Sequence, residues 1–335
     1  MLSRRPMKSI LNIAVVICIT LQLITGCDNT PAPGSSRVKS IQSPHYRSLL
    51  QIYNEYNYHW SNLELGTPPL RLQRFPNDIH LIRTTSEKKN FFFQSLLPLA
   101  LLGNQEIHRD RDQLLQIFDQ VDNGNGLSLH QHEALIDIQR YYKHDGDIIN
   151  DPASREKLLR RVDTIPPSLI LAQAANESAW GMSRFAQHAN NIFGEWTFTP
   201  GTGLVPKGRP EGETYEVKRF NSLYDSVRSY LRNLNTHNAY RSLRLTRERI
   251  KKNGLEPTGY TLAGGLKFYS TRRQAYVDEI RAMIVSNRLD QLNGVTLLPQ
   301  AVISGGEPER IKSGLLSTRE RLYRQSELPD GRNQG

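Results

Sequence analysis

The run from Thr164 to Gly181, TIPPSLILAQAANESAWG, constrains the chain more than any other segment. Prolines open it, where a helix tolerates them, and a glycine closes it, where a left-handed end favours glycine. Asp163 or Thr164 can supply the N-terminal cap. Between these ends Leu, Ile and Ala stand on nearly every side, which predicts a buried helix. One stripe differs. Gln173, Asn176 and Glu177 fall at i, i+3 and i+4, and Trp180 continues the row. A helix buried everywhere except along one polar stripe faces a cleft or a buried polar network. Glu177 lies near the C-terminal end, where the helix dipole disfavours negative charge, and the Trp180 ring would exclude water. Both effects raise a carboxyl pKa, as a general acid requires. Pairing with Arg184 or Arg228 would instead make Glu177 structural, and the stripe alone leaves the two readings level.

Charge and cysteine usage narrow the setting. The 335 residues carry a formal +10, and Arg4, Arg5 and Lys8 contribute three of those charges within a leader-like start. After loss of that leader the chain is nearer +7, a balance suited to a polyanionic partner. The only cysteines, Cys18 and Cys27, cannot build a disulfide framework or a four-cysteine zinc site. Basic residues, then an apolar run from Ile10 to Leu23 too short to span a membrane comfortably, then ITGC read as a signal peptide over 1–26. The ending resembles a bacterial lipobox, which implies lipid on Cys27 and a membrane anchor. Asp28 after the cysteine slightly favours the inner over the outer membrane, and the chain would be a periplasmic lipoprotein.

Residues 27–85 read as a tether, Pro-, Gly- and Ser-rich to about Ser43, followed by a short N-terminal segment. An amphipathic helix is expected near Ser48 to Trp60. Residues 86–150 have helical periodicity, and Pro98 is expected to bend or end the first helix there. The DNGNG sequence at Asp122 to Gly126 fits no calcium-loop register, because a ligand position falls on Gly124 and Gly126 or on Val121. His130 and His132 read as solvated rather than as zinc ligands. A third region, 151–290, holds most of the informative sequence, with alternation around Tyr215 to Arg219 predicting a hairpin strand. Residues 291–335 read as a disordered tail with a short helix near Leu315 to Arg324.

LILAQAANESAWG, NNIFGEWTFTPGTG, Lys207 to Pro210 and SVRSYLRNLNTHNAYRSLR are together similar to the glucosaminidase domain of bacterial peptidoglycan hydrolases. The closer similarity is to the bacterial Bax-type family, from about Ser86 to Ile284. The resemblance implies a mainly α fold: a lysozyme-like catalytic domain with a small β-hairpin lobe and an N-terminal helical extension. It matches Glu177 to the catalytic acid, Glu216 to a second carboxylate in the β lobe, and Tyr269 to an active-site tyrosine. Asn191 and Phe193 would shape the cleft wall, Trp180 and Trp196 would meet sugar rings, and Tyr276 would support the site. Glu195, Glu211 and Glu213 are weaker candidates for the second acid.

The combined expectation is a peptidoglycan hydrolase that cleaves the β-1,4 bond after N-acetylglucosamine, with glycan strands as partner and no cofactor or metal required. Alternatives are a lysozyme or lytic transglycosylase acting at muramic acid, and a non-catalytic wall-binding lipoprotein. Dispersed arginines and export argue against nucleic acid.

Overall fold

The computed structural model describes residues 38–299. The leader, Cys27, most of the tether and the tail with its short helix lie outside the described residues. Strand β1 (Lys39–Ile41) pairs in parallel with β2 (Leu70–Leu72), so the stretch read as tether already joins the body at Lys39. Helix α1 (Tyr46–Glu55) lies between them and buries Leu49 and Tyr53.

Helix α2 (Thr85–Asp122) opens on a reciprocal cap between Thr84 and Glu87 and runs unbroken through Pro98. This corrects the expectation of a break. Proline lacks the N–H that would bond the carbonyl four residues back. That carbonyl, on Gln94, instead accepts from the buried Tyr58 hydroxyl at 2.9 Å. The tertiary donor replaces the missing one, and the helix continues. Its middle, Phe91 to Asn104, is buried all round.

Helix α3 (Leu129–Tyr141) follows the DNGNG turn, with His130 and His132 on its exposed surface. Helix α4 (Pro152–Arg161) leads to α5 (Pro167–Ser178), the expected buried helix. Neither Asp163 nor Thr164 caps α5 by its side chain. Asp163 bonds Lys251 at 2.6 Å and lies 3.4 Å from the buried Arg247, while the Asn293 side chain accepts from the Ser168 amide. The left-handed end begins two residues before Gly181: Ala179, Trp180 and Gly181 have φ of 49°, 60° and 79°.

Helix α6 (Arg184–Ala189) enters the small lobe. Strands β3 (Trp196–Thr197) and β4 (Gly203–Leu204) flank β5 (Glu216–Lys218) in an antiparallel sheet. The expected hairpin strand is therefore the central one. Helices α7 (Leu223–Thr236), α8 (Arg241–Lys252), α9 (Gly259–Ala263) and α10 (Gln274–Ser286) close the body. A 3-10 segment, Leu289–Gly294, packs on α5, and Leu297 bridges to Thr67, so the folded part extends past the expected boundary at 290. One apolar core runs from Ile41 to Leu292 and includes α2, α5, α7 and α10.

Candidate active site

Three helices converge on Glu177. Helix α5 carries it in its last turn, α10 brings Tyr276, and α7 brings Tyr230. The Tyr276 hydroxyl donates to Glu177 Oε1 at 2.7 Å, and the Asn176 amide reaches the same oxygen at 3.4 Å. The other oxygen, Oε2, lies toward the glycine of the NIFG turn; a Cβ placed on Gly194 would be 4.0 Å from it. Burial pushes the Glu177 carboxyl above its ordinary range, and the bonds from Tyr276 and Asn176, with Arg272 at longer reach, pull it partly back.

The cationic partners that would have made Glu177 structural are engaged elsewhere. Arg184 donates to the Val205 carbonyl, and Arg228 pairs with Glu106 at 2.7 Å. Arg272 pairs with Glu279. Among the described residues no ion pair reaches Glu177, and the half-buried carboxyl is free to carry a proton.

The apolar wall around it is tyrosine rather than tryptophan. Left-handed backbone at Ala179 and Trp180 takes the Trp180 ring out of the polar stripe. It packs edge-on against Phe92 and Phe93 of α2, at 5.7 and 5.3 Å, with the Lys89 ammonium 5.0 Å above it. Tyr276, expected as support, is the tyrosine that touches the carboxyl. Tyr269, expected at the reacting centre, donates to the Phe193 carbonyl at 2.8 Å and stacks parallel on Tyr276 at 5.3 Å. Burial pushes both hydroxyls well above the ordinary tyrosine range, so both remain donors.

Asn191 and Phe193 fix the turn instead of facing a groove. The Asn191 amide donates to the carbonyls of Glu195 and Lys218, and its oxygen accepts from the Glu195 amide. With the side chain 2% exposed and both ends engaged, it holds the turn that carries Gly194. Phe193 is buried and stacks on Tyr230 at 3.9 Å.

The β-lobe acids are also engaged. Glu216 accepts from the Gly201 and Gly203 amides at 3.0 and 2.8 Å, one on each oxygen. Those bonds hold its carboxyl below the ordinary range. The neighbouring candidate, Glu195, binds Lys218 through one oxygen and Ser229 through the other, each at 2.6 Å. Trp196 is 49% exposed and lies 4.3 Å from Tyr215, with Phe198 beyond it 75% exposed. Neither Tyr215 nor Phe198 was expected at the site: only the pairing of β3 with β5 brings Tyr215 to Trp196, while Phe198 follows it by two residues. Gln173 was visible in the polar stripe, four residues before Glu177, yet only the fold shows what it bonds.

A family model for mannosyl-glycoprotein endo-β-N-acetylglucosaminidase matches residues 154–289. Protein bax of Escherichia coli (strain K12) is 31% identical over 214 residues, covering 63% of this chain and 74% of that relative. The chain belongs to the Bax-type glucosaminidase family. The catalytic domain of the autolysin Auto from Listeria monocytogenes aligns at a TM-score of 0.35 with 16% identity, over 64% of this chain and 93% of that domain. A Bax-type glucosaminidase is a glycoside hydrolase. Helices α5 to α10, most of α4 and the β lobe fall within the matched domain, while α2 and α3 lie outside it.

Proposed function

We propose that this protein hydrolyses the β-1,4 bond after N-acetylglucosamine in peptidoglycan, with Glu177 as general acid. The observation that carries the reading is the half-buried Glu177 carboxyl, raised by burial, paired with no cation among the described residues and bonded by Tyr276. A carboxylic acid of that kind can protonate a departing glycosidic oxygen. The exposed Trp196 and Phe198, with the half-buried Tyr215, then supply apolar faces for sugar rings. The positive charge suits a polymer whose peptide and lactyl groups are carboxylates.

A conventional glycosidase uses a second carboxylate as base or nucleophile. Glu216 and Glu195 each have both oxygens engaged within the fold. The substrate's own acetamido oxygen is therefore the better internal nucleophile at the anomeric carbon, with water opening the resulting ring. The role left to Glu216 is to hold the turn from Thr199 to Gly203. The same engagement of both acids favours one other reading, a lytic transglycosylase, which needs a single glutamate.

Mass spectrometry of digested sacculi separates these. The proposal expects reducing N-acetylglucosamine ends, while anhydro-muramic ends would replace it with the transglycosylase. Glu177→Gln should lower the rate by about 10²–10⁴-fold, the usual contribution of a general acid. Glu216→Gln should retain most of the rate, and a loss as deep as that of Glu177→Gln would restore it as the second acid. Export and lipidation at Cys27 belong to the same proposal. Membrane fractions should lose the protein on Cys27→Ser, and its retention there would remove the anchor.

A further inference from the structure

Glu177 ends a line of four side chains that runs inward from its half-buried carboxyl. The Tyr230 hydroxyl lies 2.5 Å from Gln173 Oε1, Gln173 Nε2 lies 2.9 Å from the Tyr276 hydroxyl, and that hydroxyl lies 2.7 Å from Glu177 Oε1. Each hydroxyl has one proton to give, and the amide has one donor end and one acceptor end. Run head to tail, the line has two senses, and letting Tyr276 accept from both Gln173 and Oε1 would orphan its own buried proton instead. In the outward sense Tyr230 donates to Gln173, Gln173 to Tyr276, and Tyr276 to Oε1. Oε1 is then an acceptor, and any proton on the carboxyl sits on Oε2. In the inward sense Oε1 carries the proton and donates to Tyr276. The Gln173 amide is then turned over, and the Tyr230 proton has no acceptor.

The inward sense is the costly one. Tyr230 is 2% exposed, its ring is stacked on Phe193, and Gln173 is its hydroxyl's one partner among the described residues. A donor orphaned in such surroundings disfavours that arrangement roughly tenfold to a hundredfold. Gln173 is itself fully buried, and its contacts of 2.5 and 2.9 Å are direct.

We propose that Gln173 and Tyr230 are positioning residues which keep the acid proton of Glu177 on Oε2, the oxygen toward Gly194, and off Oε1. Tyr276 transmits this order by donating to Oε1. The carboxyl then presents its O–H on the Gly194 side without first rotating, and after transfer Oε1 already holds two hydrogen bonds. The catalytic consequence rests on the hydrolase reading, whereas the proton's location does not. The groups facing Glu177 are Asn176 on α5, Tyr276 and Glu279 on α10, Arg272 before it, Tyr230 on α7, and Tyr240 and Tyr269 from the adjoining loops.

The test is infrared spectroscopy of protein carrying 13C-labelled glutamate, with the Glu177 band located by subtracting Glu177→Gln. At a pH where the carboxyl is protonated, the wild type should show one C=O stretch, from an Oε1 that accepts two bonds. Tyr230→Phe removes the anchor and should add a second band, from carboxyls protonated on Oε1. Tyr276→Phe should do the same by removing the donor to Oε1, and it serves if Tyr230→Phe folds poorly. In the activity arm Tyr230→Phe should lower kcat about two- to fivefold, leave KM within about twofold, and move the alkaline limb of the kcat profile upward. The inward sense lets the carboxyl donate, and so stabilises its protonated form. Two bands in the wild type, or one band in both variants, would overturn the proposal. A wild type that releases no wall fragments yet shows the one-to-two band change defeats the hydrolase reading alone.

Discussion

Glu177 is a carboxyl that the fold partly dries, and its ionisation bears on stability as well as chemistry. Its pKa is raised in the folded state, so the native protein holds that proton more tightly than the unfolded chain does. At pH below the ordinary glutamate value both states are protonated, and the group is neutral toward folding. As pH rises through the raised native value, the native state must bear a half-buried charge and loses stability. Glu177→Gln keeps an oxygen to accept from Tyr276 and removes that charge. The variant should therefore melt higher than the wild type near neutral pH while being inactive, and the two melting curves should converge as pH falls below the ordinary value. Calorimetry across that range decides it, and a variant less stable at neutral pH would mean that the carboxylate is a structural anchor. The stripe made Glu177 legible in the sequence. The partners of Tyr269 and Tyr276 were not legible, because both lie in one loop-and-helix segment and only its docking against α5 chooses which hydroxyl meets the carboxyl.

At the scale of elements, α2 shows how a local rule yields to packing. Pro98 and the run of buried residues from Phe91 to Asn104 give opposite signals, and Tyr58 resolves them by donating to the carbonyl that proline leaves bare. Tyr58→Phe leaves that carbonyl buried and unpaired, at a cost of about 1–3 kcal/mol. Pro98→Ala restores the helical donor. The double variant should thus be less destabilised than the sum of the single ones, and chemical denaturation of the four proteins measures that coupling. Strict additivity would show that Tyr58 acts only by filling space. The turn out of α6 is a second case. Asn191 was expected to shape a cleft wall beside α5, but a buried amide bonds whatever backbone the fold places around it. Here that backbone is Glu195 and Lys218.

The matched family domain begins at residue 154, yet the molecule is not built to that boundary. Helix α2 packs on α5 and α7, and Phe92 and Phe93 hold the Trp180 ring at the exit from α5. A chain trimmed to 154–289 would bare the α5 and α7 faces that α2 covers. That fragment should show no cooperative thermal transition, while residues 38–299 should melt in one. Circular dichroism on both chains tests this, and a cooperatively folding fragment would make α2 an accessory layer.

The class of fold was legible through the family resemblance, while the sequence by itself determined the buried helix and the polar stripe that carries Glu177, because a 3.6-residue period is a property of a single continuous segment. The central β5 strand was legible for the same reason. Tertiary structure alone decided that Pro98 does not break α2, that Lys39 already pairs in a sheet, and that Trp180 turns away from Glu177. It also decided that each oxygen of Glu216 and Glu195 takes a hydrogen bond within the fold, and which hydroxyl meets Glu177. Each of these depends on where a partner from a distant segment places a donor or an acceptor. Spacing along the chain carries no record of that meeting.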